Sequence, residues 1–257
     1  MITFVLNGLI LTSLLRKRKN IKQSKSIILT IVWHFIFSII VMIHCVYMTL
    51  LLSGNIYQFN HFIFWSGNLS YSLEASIGIC NLFVAIGRVL AMWKPLIYQQ
   101  SYRENLQRTA LAIITVLTVS MITFFTFNWK STAPVSAKAF IEFINIEVVQ
   151  TLHWFDACTS IANVMITVVF INELQKYFMK TRANLVHYCE PTVKINQLVY
   201  YQVITEVVII SFPILATAVY NCAFRTSLPK KVGPYPLTVA VLYTAVCSIL
   251  FQVKLKI

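Results

Sequence analysis

Hydrophobic residues occur along this chain in long runs that exclude charge, and they do not alternate with polar residues. A helix needs about 20 apolar residues to cross the roughly 30 Å hydrocarbon core of a bilayer. Six runs are this long and contain at most two charged residues each: 26–52, 71–93, 109–129, 152–172, 195–223 and 236–253. The alternation of apolar and polar residues that is typical of an outer-membrane barrel strand is absent, for example over 32–43. The pattern therefore predicts six membrane-spanning helices.

A seventh, shorter apolar segment occupies residues 1–15 and is followed by the basic run 16–19. As a helix it rises only about 23 Å, so we expect the chain to begin inside this first helix. A signal peptide fits less well, because its positive charge precedes the apolar run. The expected fold is an all-α membrane protein, a single seven-transmembrane helix bundle over 1–257. Its helices are expected at about 1–15, 26–52, 71–93, 107–129, 151–173, 195–223 and 235–253.

Composition and charge support a membrane protein and give its orientation. Hydrophobic residues make up 58% of the chain and charged residues only 11%, whereas an ordinary soluble domain is about a quarter charged. The formal net charge is +13, and 16 of the 21 Lys and Arg residues fall on one side of the seven predicted spans. The positive-inside rule places that side in the cytoplasm, with the N-terminus outside and the C-terminus inside. Nucleic-acid binding is not needed to explain the charge.

The third span ends in a motif that is more specific than a single Arg near a helix end. A lone Arg at this depth extends its side chain to water without any further role. Here Arg88 is followed by Pro95, Leu96 and Tyr98, in the pattern Arg-x-x-Ala-x-x-x-Pro-Leu-x-Tyr. This pattern resembles the end of helix three in rhodopsin-like G-protein-coupled receptors, where the Arg contacts the G protein in the active state. The resemblance implies that the coupling residues are Arg88, Pro95, Leu96, Tyr98 and Arg103.

Three segments resemble one branch of such receptors, the nematode serpentine chemoreceptors, most closely their class BC. They are 88–103, the Val-Gly-Pro-Tyr element at 232–235, and 194–198 with Pro213 later in the same span. The resemblance covers about the last two-thirds of the chain. It implies a receptor in the plasma membrane or a sensory cilium that binds an extracellular small molecule and activates a heterotrimeric G protein. It implies neither an enzyme nor a cofactor.

The chain departs from the receptor pattern in several places. Gly87 precedes Arg88 where receptors have an acid, so basal activity and loss of coupling are equally open. The second span has no acid, and the last span lacks Asn-Pro-x-x-Tyr. Many receptors join helix three to the second outer loop by a disulfide, but residues 130–150 contain no Cys. A receptor remnant that no longer signals is therefore an alternative.

Acidic residues inside the spans are candidates for a ligand pocket, because a charge at mid-membrane costs about 2.5–3.5 kcal/mol on insertion scales. Glu206 lies near the middle of its span, where it is either a ligand contact or a protonated acid bonded to a neighbouring helix. Asp156 lies with His153 and Trp154 near an outer end, which fits a ligand pocket and an interfacial aromatic belt equally well. Glu74 is expected at the outer rim, in contact with solvent.

Two single residues complete the expectations. Pro213 should kink the sixth span. Asn68 begins a glycosylation sequon, Asn-Leu-Ser, in a segment expected to be an outer loop.

The six Cys residues are scattered singly, and no metal-ligand or catalytic motif occurs. The main rival to a receptor is a small transporter or channel subunit that uses Glu206 and Asp156 as ion or proton sites.

Overall fold

The computed structural model describes residues 2–16, 25–130, 140–183, 190–224 and 235–255. In this part of the chain, helices are joined by short connections, and the extended pairing is one isolated bridge between Trp129 and Ile144. The longer helices are α1 (Ile2–Arg16), α2 (Lys25–Leu52), α3 (Asn60–Trp93), α5 (Arg103–Phe127), α6 (Ile146–Ala183), α7 (Glu190–Glu206), α8 (Phe212–Phe224) and α9 (Tyr235–Leu255). The shorter elements are α4 (Pro95–Ile97), a π-turn (Tyr98–Tyr102), a 3-10 turn (Phe140–Phe143) and a second π-turn (Val207–Ser211).

Five segments of the described chain are long and apolar enough to cross a membrane. They are 28–52, 60–93, 100–127, 150–176 and 197–220, and two further apolar helices, 3–12 and 237–253, are shorter. The all-helical architecture expected of a helical membrane protein is therefore confirmed. In α3, 56% of the most apolar stretch of 18 residues is buried inside the bundle. In the other four segments the corresponding share is 17–28%. The third helix is the central one, and the others pack around it.

α3 begins earlier than the sequence pattern predicts. The polar residues of 53–70 suggest a loop up to residue 70, but the connection ends at Phe59 and the helix starts at Asn60. Gly54 adopts φ +75° just after α2, a conformation that favours glycine at a helix C-terminus. The extra turns bury Ile63 and Phe64 completely. Apolar burial outweighs the polar residues of this segment, so residues expected at the rim lie inside the bundle.

Asn68 is one of the residues that this longer helix buries. It is fully buried, and its side-chain amide donates hydrogen bonds to the Ile122 carbonyl at 3.2 Å and to Thr126 Oγ1 at 3.3 Å. A glycosylated Asn must be reachable from solvent. The expectation of glycosylation at Asn68 is therefore wrong, because the amide instead joins α3 to α5.

An aromatic cluster attaches the segment before α6 to α3. Phe140 packs against Phe64, Tyr71 and Phe125, with ring centroids 5.2–5.7 Å apart. Gly67 permits this approach, since a Cβ atom at Gly67 would lie 2.5 Å from the Phe140 Cβ. Aromatic packing thus joins the chain just before α6 to α3, where many receptors have a disulfide.

The irregularity expected at Pro213 occurs just before it. Residues Val207–Ser211 form a π-turn between α7 and α8, and Pro213 is the second residue of α8. Proline cannot donate a backbone hydrogen bond and clashes with the preceding turn, and a local π-turn accommodates such a break. Glu206, the last residue of α7, is therefore adjacent to the π-turn.

Candidate functional site

A small cavity lies among α3, α6, the second π-turn and α9. Its volume is about 30 Å³, which is enough for one or two water molecules. Glu74, Asp156 and Glu206, the acids of three different spans, all line it. The structure therefore brings together the two acidic pocket candidates, Asp156 and Glu206, and adds Glu74.

Glu206 is held by the Asn163 amide of α6, which also bonds the backbone of α3. Glu206 is 3% exposed, and its Oε1 accepts a hydrogen bond of 2.8 Å from the Asn163 amide. The same amide donates to the Gly78 carbonyl at 3.0 Å. A buried acid in lipid must be neutral or paired. These bonds supply its polar partners and join α3, α6 and α7 around it.

Glu74 does not lie at a solvated rim, where the sequence pattern places it. Because α3 starts at Asn60, Glu74 lies roughly four turns into the helix. Its Oε2 is buried and has no hydrogen-bond partner among the described residues, and its carboxyl interacts electrostatically with Asp156. The sequence pattern predicts a start of α3 that is too late, and the wrong expectation of a solvated Glu74 follows from that error.

The two aromatic pocket candidates have other surroundings. Trp154 is 57% exposed and lies on the outer surface of α6, as expected for a residue of an interfacial belt. His153 is partly buried. Neither residue lines the acidic cavity, so of the four pocket candidates only Asp156 and Glu206 share it.

A polar network continues from Glu206 through the middle of the bundle. Asn81 of α3 donates to the Tyr243 hydroxyl of α9 at 2.8 Å and accepts from Gln202 of α7 at 3.2 Å. Near it, Ser248 donates to Asn7 at 2.6 Å. The charged residues of the sequence do not reveal this network. The usable signal was the set of Asn and Gln residues inside spans, which lipid exposure disfavours.

A second polar site lies around Arg88, near the Trp93 end of α3 and about 20 Å along the helix from Glu74. Arg88 is only 8% exposed, and Tyr98 of the first π-turn is 9% exposed beside it. Burial raises the pKa of the Tyr98 phenol, and the positive charges of Arg88 and Arg103 oppose that rise. Tyr98 therefore stays neutral at physiological pH, with its hydroxyl near two guanidinium groups.

Gly87 explains how Tyr98 reaches this position. A Cβ atom at Gly87 would lie 3.2 Å from the Tyr98 hydroxyl oxygen and 3.1 Å from Leu106 Cδ2. A larger residue would have to displace these side-chain ends. The hydroxyl of Tyr98 thus occupies the space next to the residue where the receptor pattern has an acid.

The remaining motif residues are arranged around this contact. Pro95 is the first residue of α4, a position that suits proline because its missing N–H would have no helical partner. Leu96 is 74% exposed. Arg103 is partly buried, and its Nε has no hydrogen-bond partner among the described residues. The motif therefore combines a buried pair, Arg88 and Tyr98, with an exposed apolar residue.

Comparisons with protein-family models and with curated proteins found no match. The geometry of the two sites therefore has to support any functional assignment.

Proposed function

We propose that the chain is a seven-helix chemosensory receptor, similar to the nematode serpentine receptors, which binds an extracellular small molecule and activates a heterotrimeric G protein. Its ligand would bind at the cavity lined by Glu74, Asp156 and Glu206. Its G protein would bind at the Trp93 end of α3, on the cytoplasmic side. The lipid bilayer surrounds the bundle, with the N-terminus outside.

The observation that carries this proposal is the pairing of Arg88 with Tyr98. Both residues belong to the motif that resembles the receptor family, and both are buried. The Tyr98 hydroxyl lies next to Gly87, the residue before Arg88, and interacts electrostatically with Arg88. A buried Arg is unavailable to a partner, so this arrangement corresponds to a resting receptor. Activation would move Tyr98 away and expose Arg88, and Leu96 is already exposed for contact with the G protein.

α3 supplies a physical connection between the two sites. It carries Glu74 and Gly78 at the cavity and Arg88 at the other end. The network through Asn81 joins α3 to α7 and α9 between them. A ligand that binds one arrangement of these helices better than another shifts the population toward it.

The test is G-protein nucleotide exchange in membranes of cells that express the full chain. We expect Tyr98→Ala to raise basal exchange, because it uncovers Arg88. Adding Arg88→Ala to that variant should return exchange to the level of empty membranes, with surface expression unchanged. Gln100→Ala, an exposed residue of the same π-turn, is the matched control and should leave basal exchange at the parent level. Equal exchange in Tyr98→Ala and in the double variant would argue against coupling through Arg88.

A second candidate is a small transporter or channel subunit that uses Asp156 and Glu206 as ion sites. The observation that favours it is the shared acidic cavity. Proton- or cation-dependent currents in proteoliposomes that contain only this chain would support it. Such currents should then disappear in Asp156→Asn, whereas the receptor proposal expects none in either protein.

A further inference from the structure

The cavity between α3 and α6 has an excess of acidic and hydrogen-bond-accepting groups. Three of its lining residues are carboxylic acids, and none of the lining residues in the described chain is Lys, Arg or His. Paired carboxyl groups in a low-dielectric site favour a positive ligand that neutralises them. A neutral or anionic ligand would leave this excess uncompensated.

Two lining residues have hydrogen-bonding capacity that the described part of the protein does not use. Oε2 of Glu74 is buried and has no hydrogen-bond partner. Ser160 is 4% exposed and lines the same cavity, and its hydroxyl makes no hydrogen bond to the described residues. Glu206 differs, because Asn163 already bonds its Oε1. The unused acceptors therefore lie on the α3 and α6 side, around Glu74, Asp156 and Ser160.

The size and arrangement of the site restrict the class of cation. The volume of about 30 Å³ accepts a group the size of a water molecule, such as an ammonium. In the described chain, no group of three or more His, Cys, Asp or Glu residues is arranged to hold a metal ion. The opposite wall is apolar, with Ile210, Ile214 and Val239. Only one or two carbon atoms attached to the ammonium would have room to contact this wall, because the whole cavity is so small.

We propose that this cavity binds the ammonium group of a small primary amine. Glu74 and Asp156 act as its counter-ions, Ser160 accepts one of its N–H groups, and the apolar wall contacts its carbon atoms. This inference uses the proposed receptor function for one step only, which is to identify the amine as the extracellular ligand. Binding itself requires no G protein.

The test compares a charged ligand with its uncharged counterpart on the purified full chain in detergent or nanodiscs. The probes are methylamine and ethylamine as hydrochlorides at neutral pH, with methanol and ethanol as their neutral matches and KCl as the ionic-strength control. Ligands this small bind at best in about the millimolar range. We therefore expect the amines, at about 1–100 mM, to raise the thermal unfolding midpoint along a saturating curve. The alcohols and KCl should not.

Variants then locate the site. Glu74→Gln and Asp156→Asn together should weaken the apparent amine affinity at least about tenfold, and either single variant serves if the double variant does not fold. Glu147→Gln, an exposed acid on the same helix as Asp156, is the matched control and should bind like the parent. Equal shifts from amine and alcohol, no shift from the amines, or an unchanged affinity in the variants would overturn the proposal. Amine binding without G-protein activation would support the amine site and argue against the receptor function. G-protein activation by a neutral compound alone would support the receptor function and argue against the amine site.

Discussion

Gly67 is the position where the structure makes the strongest mechanical prediction. A Cβ atom there would lie 2.5, 2.7 and 2.9 Å from three atoms of Phe140. The nearest of them is Phe140 Cβ, which is bonded to the backbone and cannot rotate away. In Gly67→Ala the whole 3-10 turn Phe140–Phe143 must therefore move away from α3.

Two opposing terms set the size of the effect. Alanine favours a helix over glycine by about 0.8–1.0 kcal/mol. Overpacking a close contact costs about 1–3 kcal/mol, and complete loss of a buried Phe costs about 3–5 kcal/mol. Because Phe140 is 3% exposed and packs on three other rings, we expect a net destabilisation of about 2 kcal/mol. In a chain of this size that lowers the unfolding midpoint by roughly 4–8 °C.

The assay is thermal unfolding in detergent, followed by Trp fluorescence and by the remaining monodisperse fraction on size exclusion. Gly8→Ala is the matched control, because a Cβ atom at Gly8 meets its nearest neighbour, Phe35 Cε2, at an ordinary 3.5 Å. It should be neutral or slightly stabilising. In a Phe140→Ala background, Gly67→Ala should cost less, since the ring contacts are gone. Equal midpoints for Gly67→Ala and Gly8→Ala would refute the proposed close approach.

Two further predictions concern residues whose environment differs from the usual one. Glycosidase treatment of protein from eukaryotic cells should leave its electrophoretic mobility unchanged, and Asn68→Gln should match the parent, because Asn68 is buried against α5; a mobility shift that depends on Asn68 would contradict this burial. The raised pKa of Tyr98 means that the folded state holds the phenol proton more tightly than the unfolded state. Stability relative to Tyr98→Phe should therefore be constant from about pH 6 to about pH 9 and fall above about pH 10, and a difference that changes near neutral pH would show an ionised phenol.

The helical architecture could be predicted from the sequence because it depends on the length of apolar runs. The start of α3 could not, because Asn60–Ser70 mixes polar side chains with Phe and Trp in proportions that also suit a loop. Only tertiary burial decides such a segment, and here α2 and α5 provide it. The errors at Asn68 and Glu74 both follow from this one boundary.

One candidate site could likewise be predicted from the sequence, and the other could not. The buried residues Arg88 and Tyr98 lie within one motif, so they could be identified from spacing alone. The acidic cavity joins residues from three spans, and spacing cannot show which faces of three helices meet. Asp156 and Glu206 were identified by the cost of an acid in lipid. Asn163, which bonds Glu206, carried only the weaker signal of an uncharged amide inside a span.

Asn163 provides the sharpest test of how the cavity is built. Its one amide group donates both to Gly78 of α3 and to Glu206 next to the π-turn. Asn163→Leu leaves the Glu206 Oε1 without this donor. A buried unsatisfied group costs about 1–3 kcal/mol, although side-chain hydrogen bonds measured in membrane proteins average about 0.6 kcal/mol. We therefore expect a loss of about 1 kcal/mol.

The partner substitutions decide whether that loss arises from the hydrogen bond itself. Glu206→Gln keeps a carbonyl oxygen where Oε1 lies, so it should preserve the bond and stability in an unfolding assay. Glu206→Leu removes the acceptor, and Asn163→Leu should then cost less than it does in the parent. If the cost of Asn163→Leu is the same in both backgrounds, the amide acts only by filling space. A smaller cost in the Glu206→Leu background would instead show that hydrogen bonding joins α3 and α6 to the end of α7, next to the π-turn.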